Sequence, residues 1–312
     1  MNATRALRLV RIEYAATAIH LYEFRDAGGA DLAPFEAGAH IDLYLGNGLV
    51  RPYSLLNAPG ERHRYVIGVK LDPRSRGGSK WIHESLRVGQ MVDVSLPRCH
   101  FPLDEAASHS LLIAGGIGVT PIACMVQRLR EQGRDYTLFY SVKRREEAAL
   151  LNLLEGPALH LHVDEERGHL LDIASLVSGA ADGTAAYCCG PAPMLEAFEA
   201  AARARPGLAW RTERFTAQEE ADTAGGYRVK LARSQRVVRV PQGQTLLQAL
   251  REAGLSVPAS CEQGICGTCE TRVLSGRPDH RDALLSDDEK RCNRTMMICC
   301  SGSLDEEIEL DL

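Results

Sequence analysis

The sequence predicts three domains in a row: an all-β domain, an α/β domain built on a parallel sheet, and a small α+β domain. Three observations predict it. Short alternating strands separated by Gly and Pro fill the first hundred residues, as in a barrel or sandwich. From about residue 108, strands and helices alternate, which implies parallel strands joined by crossover helices. A polar, acidic stretch then ends in Gly225-Gly226, and six of the ten cysteines fall after residue 260. The expected boundaries are 1–104, 105–215, a linker at 216–226, and 227–312.

The elements follow in order. Alternation over Leu7–Ile12, HLYEF (20–24), AHIDLYL (39–45), RYVIGV (64–69) and MVDVSL (91–96) reads as strands, with one short helix at 81–86. SLLIAG is an apolar strand ending in glycines. Thr120 is then expected to cap a helix over 121–131 with Pro121 at its first position. Strands at 137–142, 160–163 and 185–189 and a helix at 192–204 complete the second domain. In the third, YRVKLA and RVVRV form a hairpin. Thr245/Gln248 and Ser286/Glu289 have capping-box spacing, and IELDL closes the chain as a strand.

Composition excludes several classes. Lys plus Arg is 36 and Asp plus Glu 41, for a net charge of −5, and no basic run points to nucleic acid. The start of the chain carries no apolar signal core. The stretch without acidic or basic residues from Ala106 to Gln127 is broken by Gly115-Gly116, Gly118 and Pro121, so it does not read as a membrane span. A cytoplasmic protein with clustered cysteines is more often a metal or redox protein than a disulfide scaffold.

Cys261-EQGI-Cys266-GT-Cys269, followed by Cys299, has the C-x4-C-x2-C…C spacing of a plant-type [2Fe–2S] site. Gly264 and Gly267 allow the loop to wrap around the sulfurs. Zinc sites usually show paired CxxC knuckles instead. For the fourth ligand the choice lies among Cys292, Cys299 and Cys300. MMIC (296–299) reads as a strand, which would point Cys299 and Cys300 to opposite faces and allow only one to reach the iron. Cys292 follows an exposed charged turn. Cys299 is favoured, with Cys300 the alternative.

SCEQGICGTCETRVLSGRPDHRD and MMICCSGS, with the order of motifs along nearly the whole chain, resemble the phthalate dioxygenase reductase family, the reductase components of Rieske-type oxygenases and O-demethylases. The resemblance implies an antiparallel β-barrel flavin domain, an α/β nicotinamide domain and a β-grasp-like ferredoxin domain. It also implies Arg-Ala where this chain reads Gly302-Ser303.

Arg51-Pro52-Tyr53-Ser54 resembles the RxYS flavin motif: a cation for phosphate, an aromatic plane for the ring, and a hydroxyl near N5. Gly77, Gly78 and Ser79 open a helix, where free amides and the helix dipole favour an anion. The family implies Val69 and Lys70 along the ring edge. The phosphate loop and the family order favour FMN over FAD.

Gly115, Gly116, Gly118 and Thr120 lie in AGGIGVTP, which resembles the family's GGxGxTP nicotinamide motif rather than GxGxxG. Cys189-Gly190-Pro191 matches its CGP, with the thiol beside the nicotinamide ring and Met194 following. Cys188 is expected in the core. Ser141 lies at the adenosine end. Lys143 and Arg144 there suit either a 2′-phosphate or solvent, and NADH is preferred. Phe215 matches an aromatic that closes over the flavin, a core Phe being the alternative. The expected catalytic set is Ser54, Cys189 and Phe215. His160 and His162 read as surface residues, and no histidine pair has ligand spacing for oxygen-activating iron.

The expected activity is hydride transfer from NADH to FMN, then single-electron transfer through the cluster to a separate oxygenase, by a monomer. A reductase serving a cytochrome-type acceptor and a passive ferredoxin-like carrier are the alternatives.

Overall fold

The computed structural model describes residues 4–73, 75–217 and 219–312, and divides into two compact units between Arg214 and Phe215. In the first unit, β1 (Thr4–Ala16), β2 (Ile19–Arg25), β3 (Ala39–Tyr44), β4 (Val50–Ser54), β5 (Tyr65–Lys70), β6 (Met91–Ser95) and β7 (Arg98–Cys99) form one antiparallel sheet. Its order is β4-β3-β6-β1-β2-β5, with β7 on β3. A bridge from Leu55 to Ile67 joins the two ends, closing the sheet into a barrel. The period-2 pattern fills it: Leu7, Leu9, Tyr22, Phe24, Ile41, Leu43 and Val94 point inward while Arg8 is exposed. Helix α1 (Gly78–Ser85) packs Ile82 into one end.

The parallel sheet consists of β8 (His109–Gly115), β9 (Tyr136–Val142), β10 (Leu159–Val163), β11 (Thr184–Cys189) and β12 (Ala209–Glu213), in the order β10-β9-β8-β11-β12. The chain moves outward from β8 to β10, then returns to the other side of β8 with β11. The strand order therefore reverses between β8 and β11, where open α/β sheets bind ligands at their C-terminal edge. Helices α2 (Val119–Glu131), α3 (Leu151–Leu154), α4 (Asp164–Arg167), α5 (Ile173–Ser178) and α6 (Ala192–Arg203) make the connections.

Helix α2 is buried between barrel and sheet. Ile122, Met125 and Val126 share one core with Leu56, Val66 and Phe101 of the barrel and with Leu112 and Leu138 of the sheet. Gln127 Nε2 donates to Leu56 O at 2.6 Å, and Cys124 Sγ to Asn57 O at 3.2 Å. An Ile122→Ala change there costs about 2–5 kcal/mol.

The expected cap at Thr120 is not found. The helix begins at Val119 with Gly118 before it, because the glycine turn runs as a 3₁₀ turn (Gly116–Gly118) straight into α2. Thr120 Oγ1 instead donates to Ile117 O at 3.0 Å.

The second unit carries β13 (Arg228–Leu231), β14 (Arg236–Arg239), α7 (Leu246–Glu252), β15 (Glu270–Ser275), β16 (Pro278–Asp279), α8 (Asp287–Cys292), β17 (Thr295–Met297), β18 (Gly302–Ser303) and β19 (Glu307–Leu310). Its mixed sheet runs β14-β13-β19-β15-β17, with β13 and β19 parallel, and β16 pairs with β18 apart from it. This is a β-grasp-like arrangement with α7 buried against the sheet through Leu246, Leu247 and Leu250. Both capping boxes form, at Thr245/Gln248 and Ser286/Glu289. Among the described residues, no helix is long and apolar enough to cross a membrane.

Candidate cofactor sites

Strand β4 brings Arg51, Tyr53 and Ser54 along one edge of the barrel. Arg51 lies across the start of α1: a Cβ on Gly78 would meet Arg51 Cγ at 2.8 Å and Nε at 3.0 Å. Gly77 caps this helix with φ +95°, a conformation other residues rarely adopt. A guanidinium and the amides of a helix start thus share one small space, the donor set a phosphate requires. Ser79 is tied into the same loop, accepting from Asp72 N at 3.2 Å and donating to Ser75 Oγ at 3.0 Å. Tyr53 is half-buried, and burial pushes its phenol up, so it is neutral at physiological pH. Val69 turns its side chain into the barrel core, and its carbonyl bonds the His83 ring at 3.0 Å. What Val69 offers a ligand is therefore main chain. Lys70 ion-pairs with Glu147 at 3.6 Å.

Ser54 is buried, and its hydroxyl donates to Glu213 Oε2 at 3.4 Å. Glu213 ends β12 and sits opposite Cys189 in the ladder. The residue as a whole is half-buried, and the surrounding protein holds its carboxyl away from bulk water. Burial pushes its pKa up to about 8, only partly offset by the Ser54 bond. Ser54, Glu213 and Cys189 thus meet where β4 approaches the C-terminal ends of β11 and β12. Sequence reasoning missed Glu213: its partner is 159 residues away, and its strand carries no recognisable pattern.

The crevice between the turns after β8 and β11 is built from backbone. A Cβ on Gly118 would lie 2.2 Å from Cys189 O and 2.9 Å from Gly190 N. One on Gly115 would meet Pro191 Cδ at 2.6 Å and Met194 Sδ at 2.8 Å. One on Gly190 would meet the same Met194 sulfur at 2.6 Å. The two turns after β8 and β11 therefore touch main chain to main chain, with Gly116 at φ +53° on the rim. Cys189 is buried and its thiol is pushed well up by burial, so it is a neutral thiol. Cys188 points the other way, into the core beneath α5 and α6, as strand alternation requires.

Ser141 Oγ donates to Asp164 Oδ1 at 3.2 Å. Arg144 is committed to Glu146 at 3.2 Å and Glu147 at 3.1 Å. Two surface histidines were expected on β10. His160 is exposed and stacks on Phe139 at 4.8 Å, but His162 is buried, bonded to His169 O at 2.9 Å and 3.4 Å from Asp164. The loop that follows folds back over it.

In the second unit the loop 261–269 wraps tightly, with Glu262 (+55°), Gly264 (+67°) and Gly267 (+68°) in the left-handed region. Cys261, Cys266, Cys269 and Cys299 are all buried. Their thiols lie close enough to act on one another, Cys266 on Cys261, Cys261 on Cys299 and Cys269 on Cys299, while Cys261 Sγ accepts from Gln263 N at 3.3 Å and Cys266 Sγ donates to Thr268 Oγ1 at 3.3 Å. Cys266 and Cys269 are pushed up first by those thiol contacts and then by burial, so a set of thiolates here requires a cationic group to hold it. Among the described residues, no three His, Cys, Asp or Glu side chains gather at the spacing of a single metal ion. The four thiols form instead one connected set, Cys266–Cys261–Cys299–Cys269, which fits a donor set shared between two irons.

The strand argument for Cys299 does not hold. β17 ends at Met297, and Cys299 and Cys300 lie in the turn beyond it. The turn separates them all the same: Cys300 Sγ bonds Met297 O at 3.6 Å and sits 2.5 Å from where a Gly264 Cβ would stand. Cys292 is the exposed last residue of α8, not part of a turn. Phe215 is 37% exposed, which excludes a core role.

Comparison with known proteins agrees with this architecture. Residues 229–302 match the model of the 2Fe-2S iron-sulfur cluster binding domain. The chain is 52% identical over 309 residues to a phenoxybenzoate dioxygenase subunit beta of Ectopseudomonas oleovorans, covering 98% of this chain and 97% of that protein. It is 43% identical to a vanillate O-demethylase oxidoreductase of Pseudomonas sp. (strain HR199 / DSM 7063), covering 98% of each. Among solved structures, phthalate dioxygenase reductase superposes with a TM-score of 0.76 at 36% identity over 99% of this chain and 98% of that one. A type IV self-sufficient cytochrome P450 monooxygenase superposes with a TM-score of 0.89 at 38% identity, over 99% of this chain but only 41% of that longer one.

Proposed function

Because this chain belongs to the phthalate dioxygenase reductase family of flavin and iron–sulfur oxidoreductases, we propose that it passes electrons from NADH through FMN and a [2Fe–2S] cluster to a separate Rieske-type aromatic oxygenase or O-demethylase. The relatives are reductase components of oxygenase systems, and an oxygenase is the partner. The single observation that carries the electron-transfer reading is the buried cluster of the four thiols Cys261, Cys266, Cys269 and Cys299. Bound flavin would supply the conversion of a two-electron hydride into single electrons, and a [2Fe–2S] cluster held by Cys261, Cys266, Cys269 and Cys299 would supply a one-electron carrier.

The chain's own residues bind, orient and hold a proton. Arg51 and the start of α1 hold the flavin phosphate, and the short loop favours FMN. Ser54 would set its oxygen beside the ring, with its hydroxyl donating to Glu213 behind it. With a pKa of about 8, Glu213 is mostly protonated at neutral pH, so it holds a proton one hydrogen bond behind the Ser54 oxygen. Cys189 would border the nicotinamide as a neutral thiol, and Gly115, Gly118 and Gly190 would let the dinucleotide lie against backbone. Phe215 is available from the start of the second unit. The commitment of Arg144 to Glu146 and Glu147 argues against a 2′-phosphate and for NADH. Domains at 1–104, 105–215 and 227–312, a monomeric state and a cytoplasmic location complete the reading.

The test is direct. Purified protein reducing ferricyanide with NADH is an enzyme rather than a passive carrier. NADH consumption coupled to demethylation or hydroxylation by an added Rieske-type oxygenase supports the partner; no coupling with any such oxygenase refutes it. A second acceptor, a cytochrome-type monooxygenase, is favoured by the likeness to the matched part of the self-sufficient P450. Coupling to a P450 in place of the oxygenase would select it.

A further inference from the structure

The polar stretch that enters the iron–sulfur unit does not hang free. Asp222 is 7% exposed, and its N–H donates to the Cys300 carbonyl at 2.7 Å. Its Oδ1 accepts from Ala224 N at 3.1 Å. Glu219, earlier in the same stretch, ion-pairs with Arg281 at 3.7 Å. Arg281 in turn pairs with Asp279 at 2.7 Å, and its own N–H donates to Ser301 Oγ at 3.2 Å. The entering chain is therefore fastened at two points to the β16–β18 ribbon and to the turn that carries Cys299.

Gly302 decides how this is possible. It lies in β18, paired with Asp279, and its φ is outside the left-handed region. Conformation does not demand glycine there. Space does: a Cβ would fall 1.9 Å from Asp222 Oδ2 and 2.5 Å from its Cγ. The carboxylate fills the volume that a side chain at 302 requires. The position where the family resemblance implies arginine is thus occupied from outside, by a residue of the entering stretch.

We propose that Asp222 is a positioning residue that latches the entering chain onto the cluster-bearing turn, with Gly302 as the socket that admits it. The inference rests on the reading of Cys299 as a cluster ligand. The latch makes the turn and the entering stretch one mechanical body. The entering stretch is then held to this unit at Glu219 and Asp222 and not only from Tyr227, five residues after Asp222, so the latch limits how far the cluster-bearing turn yields when the chain before it is pulled. It also transmits any pull on the tether to the residue next to Cys299.

The test uses full-length holoprotein with Gly302→Ala, Asp222→Gly and the double variant. Hydrogen exchange at the Asp222 amide reads the latch. Stopped-flow rates of flavin and cluster reduction by NADH read its consequence, and the visible spectrum reads cluster occupancy. Gly302→Ala is expected to speed exchange at Asp222 roughly tenfold, the scale of one lost hydrogen bond, and to slow cluster reduction several-fold with flavin reduction unchanged. Asp222→Gly added to Gly302→Ala empties the socket's competitor and is expected to restore protection and rate toward wild type. The same rescue supports the latch if Gly302→Ala alone loses cluster. Wild-type exchange and rate in Gly302→Ala, or a defect the second substitution does not repair, would overturn it. Absence of a cluster from the wild-type protein sinks the ligand reading instead, and the exchange data still decide the latch.

Discussion

Glu213→Gln gives the most direct test of the crevice chemistry. The substitution keeps the shape and the acceptor oxygen for Ser54 but removes the ionisation. In the folded protein Glu213 titrates at about 8, against an ordinary value of 4.5. An acid whose folded pKa is raised binds its proton more tightly in the native state. Its contribution to stability is therefore full below pH 4.5 and is lost as pH rises toward 8. Linkage between those two values gives a loss of about 3.5 kcal/mol from pH 5 to pH 8 as a ceiling. Glu213 keeps partial solvent contact, and water in the crevice shields the charge, so about 2 kcal/mol is the expected loss. Glutamine carries no such penalty. The assay is urea unfolding of flavin-free protein followed by tryptophan fluorescence. Both tryptophans, Trp81 and Trp210, lie in the first unit, so the signal reports that unit alone. Glu213→Gln should match wild type within about 1 kcal/mol at pH 5 and exceed it by a further 2 kcal/mol or so at pH 8. A difference that stays flat across this range would refute both the raised pKa and the proton-holding role built on it.

Other predictions follow from the same geometry. Ser54→Ala removes one hydrogen bond worth about 0.5–1.5 kcal/mol, so flavin reduction by NADH should slow roughly 2–12-fold while the cluster spectrum persists; an unchanged stopped-flow rate would make Ser54 a plain strand residue. Cys189→Ala should impair hydride transfer with flavin and cluster retained, and turnover and KM for NADH both equal to wild type would assign the thiol to packing alone. Cys299→Ser should lose or badly perturb the visible cluster spectrum while Cys300→Ser keeps it, because a hydroxyl replaces a soft thiolate poorly; the reverse pattern would overturn the ligand assignment. Gly118→Ala forces a Cβ against the Cys189 carbonyl at 2.2 Å, backbone that has nowhere to go, and should abolish NADH binding measured by titration.

Much of the site was legible because its chemistry is local in sequence. RPYS, RGGS, the glycine turn and the cysteine loop each sit within a few residues, and each maps onto one turn or strand of the fold. What was not legible depends on distant pairing. Glu213 acquires its role only because β12 lies beside β11 and ends at Ser54. The Asp222–Gly302 contact joins residues that no local pattern connects. The errors at Thr120 and in the MMIC strand both fall where a tight turn meets a regular element. The 3₁₀ turn before α2 runs straight into the helix, so Thr120 lies inside it rather than at its cap, and the turn after Met297 takes Ile298 and Cys299 out of the expected strand. His162 is polar by composition and buried by a loop that returns over it.

The glycine-lined crevice between β8 and β11 also bears on redesign. Its floor is made of atoms that every residue type possesses, packed so closely that no side chain can be added. Random mutagenesis can therefore damage that floor but cannot tune it. On the proposed reading, an effort to switch the pyridine nucleotide preference works from the rim, at Ser141, Lys143 and Arg144 and at the carboxylates that hold Ser141 and Arg144. Releasing Arg144 from Glu146 and Glu147 is the change with which such a library should begin.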